Sequence, residues 1–184
     1  ASSSSTTIQK VANINSLSGT IDTTNISASL GNISNVSGSL TFGNSSGNEV
    51  IQNIARIDVN QNSSNSSINA TISEAENIGV SIGFGTLEGN VRQNIANLSS
   101  NNLSNSNINV NLSDAINASG SVLANSDANQ NIASIDAAGD VDGLDIDLTL
   151  GTVTNAGFDV LASSSLSQDL GSISSEGNVE NTKI

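Results

Sequence analysis

Apolar and amide positions return along this chain at a near-constant interval. A six-residue pattern (Gln, any residue, aliphatic, small, any residue, aliphatic) occurs five times: QKVANI from Gln9, QNIARI from Gln52, QNIANL from Gln93, QNIASI from Gln130 and QDLGSI from Gln168. The Gln-to-Gln spacings are 43, 41, 37 and 38 residues. Self-similarity at one period is the signature of a repeat architecture. A second block opens at Ile26, Ile68, Ile108 and Ile146, continues at Ala28, Ala70, Val110 and Leu148, and then at Leu30, Ile72, Leu112 and Leu150. Polar residues separate these positions, and strict period-two alternation predicts a half-buried strand. An Asn column follows at Asn35, Asn77, Asn117 and Asn155. A third alternating run then has Val36, Ile78, Ala118 and Ala156, and further on Leu40, Ile82, Val122 and Val160, as its apolar positions. It ends at Phe42 and Phe84, with Ala124 and Ala162 in the later copies.

Each repeat therefore reads as three short strands joined by turns. The two aliphatics of the Gln motif are three apart, so the alternation slips at Ala12, Ala55, Ala96, Ala133 and Gly171, which predicts a bend there. The polar stretches 43–49 and 60–67 read as surface loops. In this scheme the repeats span about 9–51, 52–92, 93–129 and 130–167, with a partial copy at 168–173 and a tail at 174–184, all in a single domain covering 1–184. One repeat buries too few aliphatic side chains to offset the entropy of ordering about forty residues, so neighbouring copies must supply the missing contacts. The predicted fold is all-β: a stacked β-arch or β-solenoid with Greek-key-like rungs and cross-β spacing.

Stacking gives the amides a role. An inward Gln or Asn without partners costs about 1–3 kcal/mol. In a stack of like rungs each carboxamide donates to one neighbour and accepts from the other. The Gln column, set beside aliphatics in a strand, is read as such a ladder. The Asn35 column fits a ladder or turn positions that tolerate unusual backbone angles. Asn62 and Asn65, in the polar stretch, have no proposed partners. Glu74 and Asp114 fall at one outward position of successive repeats, where like charges repel.

Composition narrows the function. The 184 residues include 76 Ser, Thr and Asn, and no Pro, Cys, Met, Trp, Tyr or His. No disulfide, zinc or iron–sulfur site and no imidazole acid–base chemistry can be built. Four cations, Lys10, Arg56, Arg92 and Lys183, face 17 acids, for a net charge of −13. That argues against nucleic acid as a partner, and no apolar run is long enough to predict membrane insertion. Ile, Leu, Val and Phe total 49, too many and too regularly spaced for a disordered tract.

Specific chemistry is sparse. Gly43-Asn44-Ser45-Ser46-Gly47 matches a nucleophile elbow, but without His the usual triad has no base. The stretch 136–147 contains Asp136, Asp140, Asp142, Asp145 and Asp147. Among these, Asp140, Asp142 and Asp145 are weak calcium candidates, although the spacing does not fit an EF-hand loop. Eleven Asn-x-Ser/Thr sequons occur, including Asn25, Asn32, Asn35, Asn69 and Asn117, and only Thr152-Val153-Thr154 has the Thr-x-Thr form of an ice-binding array. The expectation is no enzyme, no cofactor and no metal.

The segments INVNLSDAINASGSVLANSDANQNIASI at 108–135 and INATISEAENIGVSIGFGTLEGNVRQNIANL at 68–98 resemble the repeats of Pseudomonas-type functional amyloid (Fap) fibre subunits. Those repeats look like an alternating segment, Ser-Asp, Asn-x-x-Gly, a Val/Ala run and Asn-x-Gln-x-Asn. The likeness spans about residues 8–173. It departs in having contiguous repeats and in lacking a Cys-x-x-Cys, which leaves open a minor or nucleating subunit or a relative from another lineage. The resemblance implies a structural subunit that self-assembles into an extracellular amyloid-like fibre of a biofilm matrix. Its partner is itself, with other fibre subunits as candidates. A start at Ala1 rather than Met fits a secreted product whose signal peptide has been removed. The fifth Gln copy keeps the repeat pattern where a capping sequence would break it, which favours end-to-end growth. The alternative is a β-solenoid stalk or passenger of a surface adhesin.

Overall fold

In the computed structural model, which describes residues 5–16, 18–42, 48–84, 88–122, 125–160 and 164–184, the repeats form a parallel β-solenoid. The first rung comprises β1 (Ser5–Val11), β2 (Ile14–Ser16), β3 (Ile21–Asp22) and β4 (Asn25–Phe42). The second has β5 (Asn48–Ile54), β6 (Ile57–Val59), β7 (Ser63–Ser64) and β8 (Ser67–Phe84). The third has β9 (Glu88–Ile95), β10 (Leu98–Ser100), β11 (Leu103–Ser104) and β12 (Asn107–Val122). The fourth has β13 (Asn125–Ile132), β14 (Ile135–Ala137), β15 (Val141–Asp142) and β16 (Asp145–Val160). Then come β17 (Ser164–Leu170), β18 (Ile173–Ser175) and β19 (Val179–Glu180).

Corresponding strands pair in parallel, in the orders β1-β5-β9-β13-β17, β2-β6-β10-β14-β18, β3-β7-β11-β15-β19 and β4-β8-β12-β16. The register sets like on like. Gln9 pairs with Gln52, and Gln93 with Gln130; Asn35 pairs with Asn77, and Asn117 with Asn155.

The bends fall where the alternation slips. Ala12, Ala55, Ala96 and Ala133 have φ of 51, 54, 54 and 53°, and Gly171 has 62°. This left-handed conformation turns the chain by one corner while, from the second rung on, the corner N–H still bonds the rung before it: Ala55 N to Val11 O at 2.8 Å, and Ala96 N to Ile54 O at 2.8 Å. The methyls of Ala55, Ala96 and Ala133 are buried in the core, which compensates for the roughly 1–2 kcal/mol a non-Gly residue pays here, whereas Ala12 on the first rung is exposed. A second left-handed corner recurs at Thr23, Asn65, Asn105, Gly143 and Asn181.

The rung differs from the expected one in three ways. It has four strands, because 60–67 is not all loop: Ser63–Ser64 is a strand, and Ser63 and Ser66 are buried with hydroxyls 2.8 Å apart. The second and third alternating runs are one strand of 16 or 18 residues. Its pairing skips one position, between Leu30↔Ile72 and Asn32↔Glu74, and the faces exchange there. Before the skip Ile26 and Ala28 point inward; beyond it Asn35 does, and Val36 is 60% exposed. Of the apolar positions of the third run, Val36 and Val160 thus face outward, and Ile78, Ala118 and Ala156 lie off the buried face. Third, the tail 174–184 continues the solenoid through β18 and β19 and a bridge from Lys183 to Asp145. Residues 43–47, with the nucleophile-elbow match, and Ala124 and Ala162 lie outside the described residues.

Each rung therefore has a wide apolar end and a narrow arm. Isoleucines and leucines such as Ile54, Ile57, Ile68, Leu98, Leu103 and Ile108 fill the wide end in columns. Among the described residues one buried side-chain polar atom has no partner, Ser100 Oγ. Ser100→Ala removes an unsatisfied hydroxyl at almost constant volume. The expected result is a gain of about 1 kcal/mol, read as a higher denaturant midpoint with an unchanged slope.

Candidate functional site: two amide ladders

The narrow arm brings the Gln strand against the second half of the long strand, and its interior is polar. Gln52, Gln93 and Gln130 are completely buried, as are Asn77 and Asn117. Gln52 Nε2 donates to Gln9 Oε1 at 2.8 Å, Gln93 to Gln52 at 2.8 Å, Gln130 to Gln93 at 2.8 Å and Gln168 to Gln130 at 2.6 Å. Asn35 Nδ2 donates to Asn77 Oδ1, Asn77 to Asn117 and Asn117 to Asn155, each at 2.9 Å. All four Asn lie within long strands, so the column is a ladder and not a set of turns.

The ladders also rivet the two walls of the arm. Gln93 Nε2 reaches Ala75 O on the long strand at 2.9 Å, and Asn77 Nδ2 reaches Arg92 O on the Gln strand at 2.9 Å. Carbonyls turned into the arm thereby receive donors, which removes the desolvation cost of a polar interior. Gly79 fits this close approach, since a Cβ there would lie 2.7 Å from Val91 Cγ2.

The two ladders have opposite polarity. Gln amides donate toward the first rung, whereas Asn amides donate toward the last. At the first rung the Gln column ends in a donor and the Asn column in an acceptor; at the last rung the roles are reversed. The ends are therefore complementary head to tail, and head-to-head contact sets donor on donor. This polarity is invisible in residue identity, because a carboxamide donates in either direction.

The other candidates are placed apart. Asp140 Oδ1 accepts the Asn178 N–H at 2.9 Å, Asp142 Oδ1 accepts from Asn181 Nδ2 at 2.7 Å, and Asp145 Oδ1 from Lys183 Nζ at 3.4 Å. Each serves the rung beyond it, and among the described residues no three acidic groups converge on a metal position. Asn62 and Asn65, read as partnerless, do have partners. Asn62 Oδ1 accepts from Asn102 at 3.0 Å, and Asn65 Nδ2 donates to Asp22 at 2.9 Å. The Asn65 amide, followed by the Ser64 hydroxyl, holds the Asp22 carboxyl below its ordinary value. Glu74 and Asp114 are register partners on adjacent rungs, as aligned. Sequon residues Asn35 and Asn117 are buried within the ladder.

On the outer surface beside the Ala bend, Arg56, Arg92, Asn94 and Asn131 help to line an open polar groove of about 480 Å³. No described protein family, curated protein or solved structure matches this chain.

Proposed function

We propose that the protein is a structural subunit that polymerises head to tail, continuing its own solenoid into an amyloid-like fibre. The observation that carries this reading is the match between the two outer edges. Following the columns, a second copy set beyond the last rung brings Gln9 onto Gln168, Val11 onto Leu170, Ile14 onto Ile173 and Ile21 onto Val179. The Gln9 amide then donates to Gln168 Oε1, repeating the bond made at every internal step. Parallel edges presenting unpaired backbone groups are templates for further strands. An extracellular biofilm fibre is the setting implied by the Fap-like repeats. The adhesin stalk or passenger is the second reading, favoured by the polar groove, which suits a hydroxyl-rich surface ligand. Electron microscopy of purified protein incubated at micromolar concentration separates them. Unbranched fibres are expected; a monodisperse monomer after long incubation sinks the polymer reading.

Charge sets the rate. Copies with a net charge of −13 repel one another, and the junction sets Asp22 near Glu180. Assembly is expected to be faster near pH 4 than at pH 8, with salt partly restoring the rate at pH 8 by screening. The sign at Asp22 is compatible with this. Its lowered pKa means that its corner bonds contribute fully above the ordinary carboxylate range and are lost only as pH falls below it. At pH 4 the corner therefore persists while the mean charge falls. Light-scattering lag times that do not change between the two pH values at low salt would refute the charge argument.

A further inference from the structure

Because the faces of the long strands exchange at the skip, the outer wall of the narrow arm is apolar. Beside the Asn ladder, register stacks its outward residues in two columns: Val36, Ile78, Ala118 and Ala156, then Gly38, Val80, Gly120 and Phe158. None of these eight residues is charged. Val80, on an interior rung, is 43% exposed, and Phe158 is 80% exposed. A contiguous apolar patch on a chain of net charge −13 marks a contact surface. The patch is not flat. A Cβ built at Gly38 meets nothing within 4 Å, and one at Gly120 has its nearest neighbours at 3.6 to 4.0 Å, so both glycines are open dents beside Val80 and Phe158.

The sizes follow a pattern along the rungs. The first column runs large, large, small, small, and the second runs small, large, small, large. Each is complementary to itself when the order of the rungs is reversed. From this pattern we infer that the face is the interface of an isologous pair, in which it meets the same face of a second copy. The two-fold axis lies along the strands, between β8 and β12. This operation reverses the rungs and keeps every strand position, so Ile78 meets Ala118 of the second copy and Val80 meets Gly120. Val36 likewise meets Ala156, and Phe158 meets Gly38. Large against small at every facing position is what lets two sheets interdigitate. A two-fold axis along the solenoid keeps the rungs in order, and would set Ile78 against Val80 and Ala118 against Gly120, a clash beside a void. The facing area is four strands wide and about seven residues long, roughly 450 Å² on each copy, which fits a weak, transient pair. At its margin Glu74 comes opposite Asp114 of the second copy, so salt strengthens the pairing. The head-to-tail junction leaves this face free, and the pair does not rest on the polymer reading. Each filament keeps one direction along its own length, and the contact relates separate chains or separate filaments.

The test is sedimentation equilibrium on the full chain bearing Ile14→Lys and Ile173→Lys, which block both growing edges. A monomer–dimer equilibrium is expected, half-paired near about 100 μM and tighter in high salt. Ala118→Ile sets Ile against Ile78 and should weaken pairing about tenfold. Ile78→Ala added to Ala118→Ile exchanges large for small on both sides and should restore it. Val80→Lys should keep the chain single throughout, because the ammonium would be enclosed without a partner. The same three face variants in the otherwise unchanged chain give a second reading if the edge substitutions unfold it. A chain that stays single at every concentration overturns the inference, as does Ala118→Ile pairing like its parent or no recovery in the Ile78→Ala, Ala118→Ile variant. A chain that stays single yet floats with neutral phosphatidylcholine vesicles would assign the face to lipid and overturn it too.

Discussion

Gln93→Ala combined with Gln130→Ala is expected to lower stability by about 5 kcal/mol, a large share of what a domain of this size possesses. The reason is the number of groups left without partners. Gln93 Nε2 serves Gln52 Oε1, Ala75 O and Ile116 O, and Gln93 Oε1 accepts from Gln130. The double change removes the 93–130 bond once, strands the Gln52 acceptor and the Gln168 donor, and opens space in a completely buried column. Gln93→Leu separates the two causes, since it refills most of the volume and restores no donor. Asn111→Ala, on the exposed face of β12, is the control and should stay within about 0.5 kcal/mol. Denaturant midpoints check the series. A control as damaging as the ladder variants would remove the ladder argument.

The second large effect concerns growth and its direction. Ile173→Lys places a charge on the last rung, where the side chain is half-buried in the single chain and enclosed once another copy docks. The monomer should fold, because the ammonium can reach water there. Polymerisation should fail, because enclosing an unpaired charge costs several kcal/mol. The variant keeps an intact first rung, so it still docks on the growing last-rung end of a wild-type fibre and then stops that end. Ile14→Lys should stop the opposite end. Seeds with one end marked, followed by fluorescence microscopy, show which end each variant arrests. Arrest of both ends by either variant would contradict head-to-tail polarity.

Much of this architecture is written in the side chains that repeat. Gln at one fixed place, aliphatics at period two and a small residue at the slip specify the rung register, the Ala corner and the Gln ladder, because in a parallel stack each column must satisfy itself. Other features leave weaker marks. The two-residue strands are apolar at Ile21, Leu103, Val141 and Val179, but Ser63 interrupts that column within a run of Ser and Asn that reads as loop. The second corner is held by Thr, Asn or Gly, three residues that tolerate φ > 0 to different degrees, so no single letter marks it. The exchange of faces in the long strand falls at Gly31, Ser73, Ser113 and Gly151. A one-residue slip there turns Val36 outward and Asn35 inward, against the usual sorting of apolar and polar residues. Hydropathy alone orients that half of the strand wrongly, and only the hydrogen bonds available to a stacked amide explain the outcome.

Helical reconstruction of the assembled fibre by electron cryomicroscopy tests the central claim most directly. Head-to-tail continuation with five strands per copy in three of the sheets predicts strands about 4.8 Å apart along the axis and an axial rise of about 24 Å per subunit. Every subunit should point the same way, with Gln168 of one copy against Gln9 of the next. Fibres whose subunits alternate in direction, or whose strands run along the axis, would contradict it.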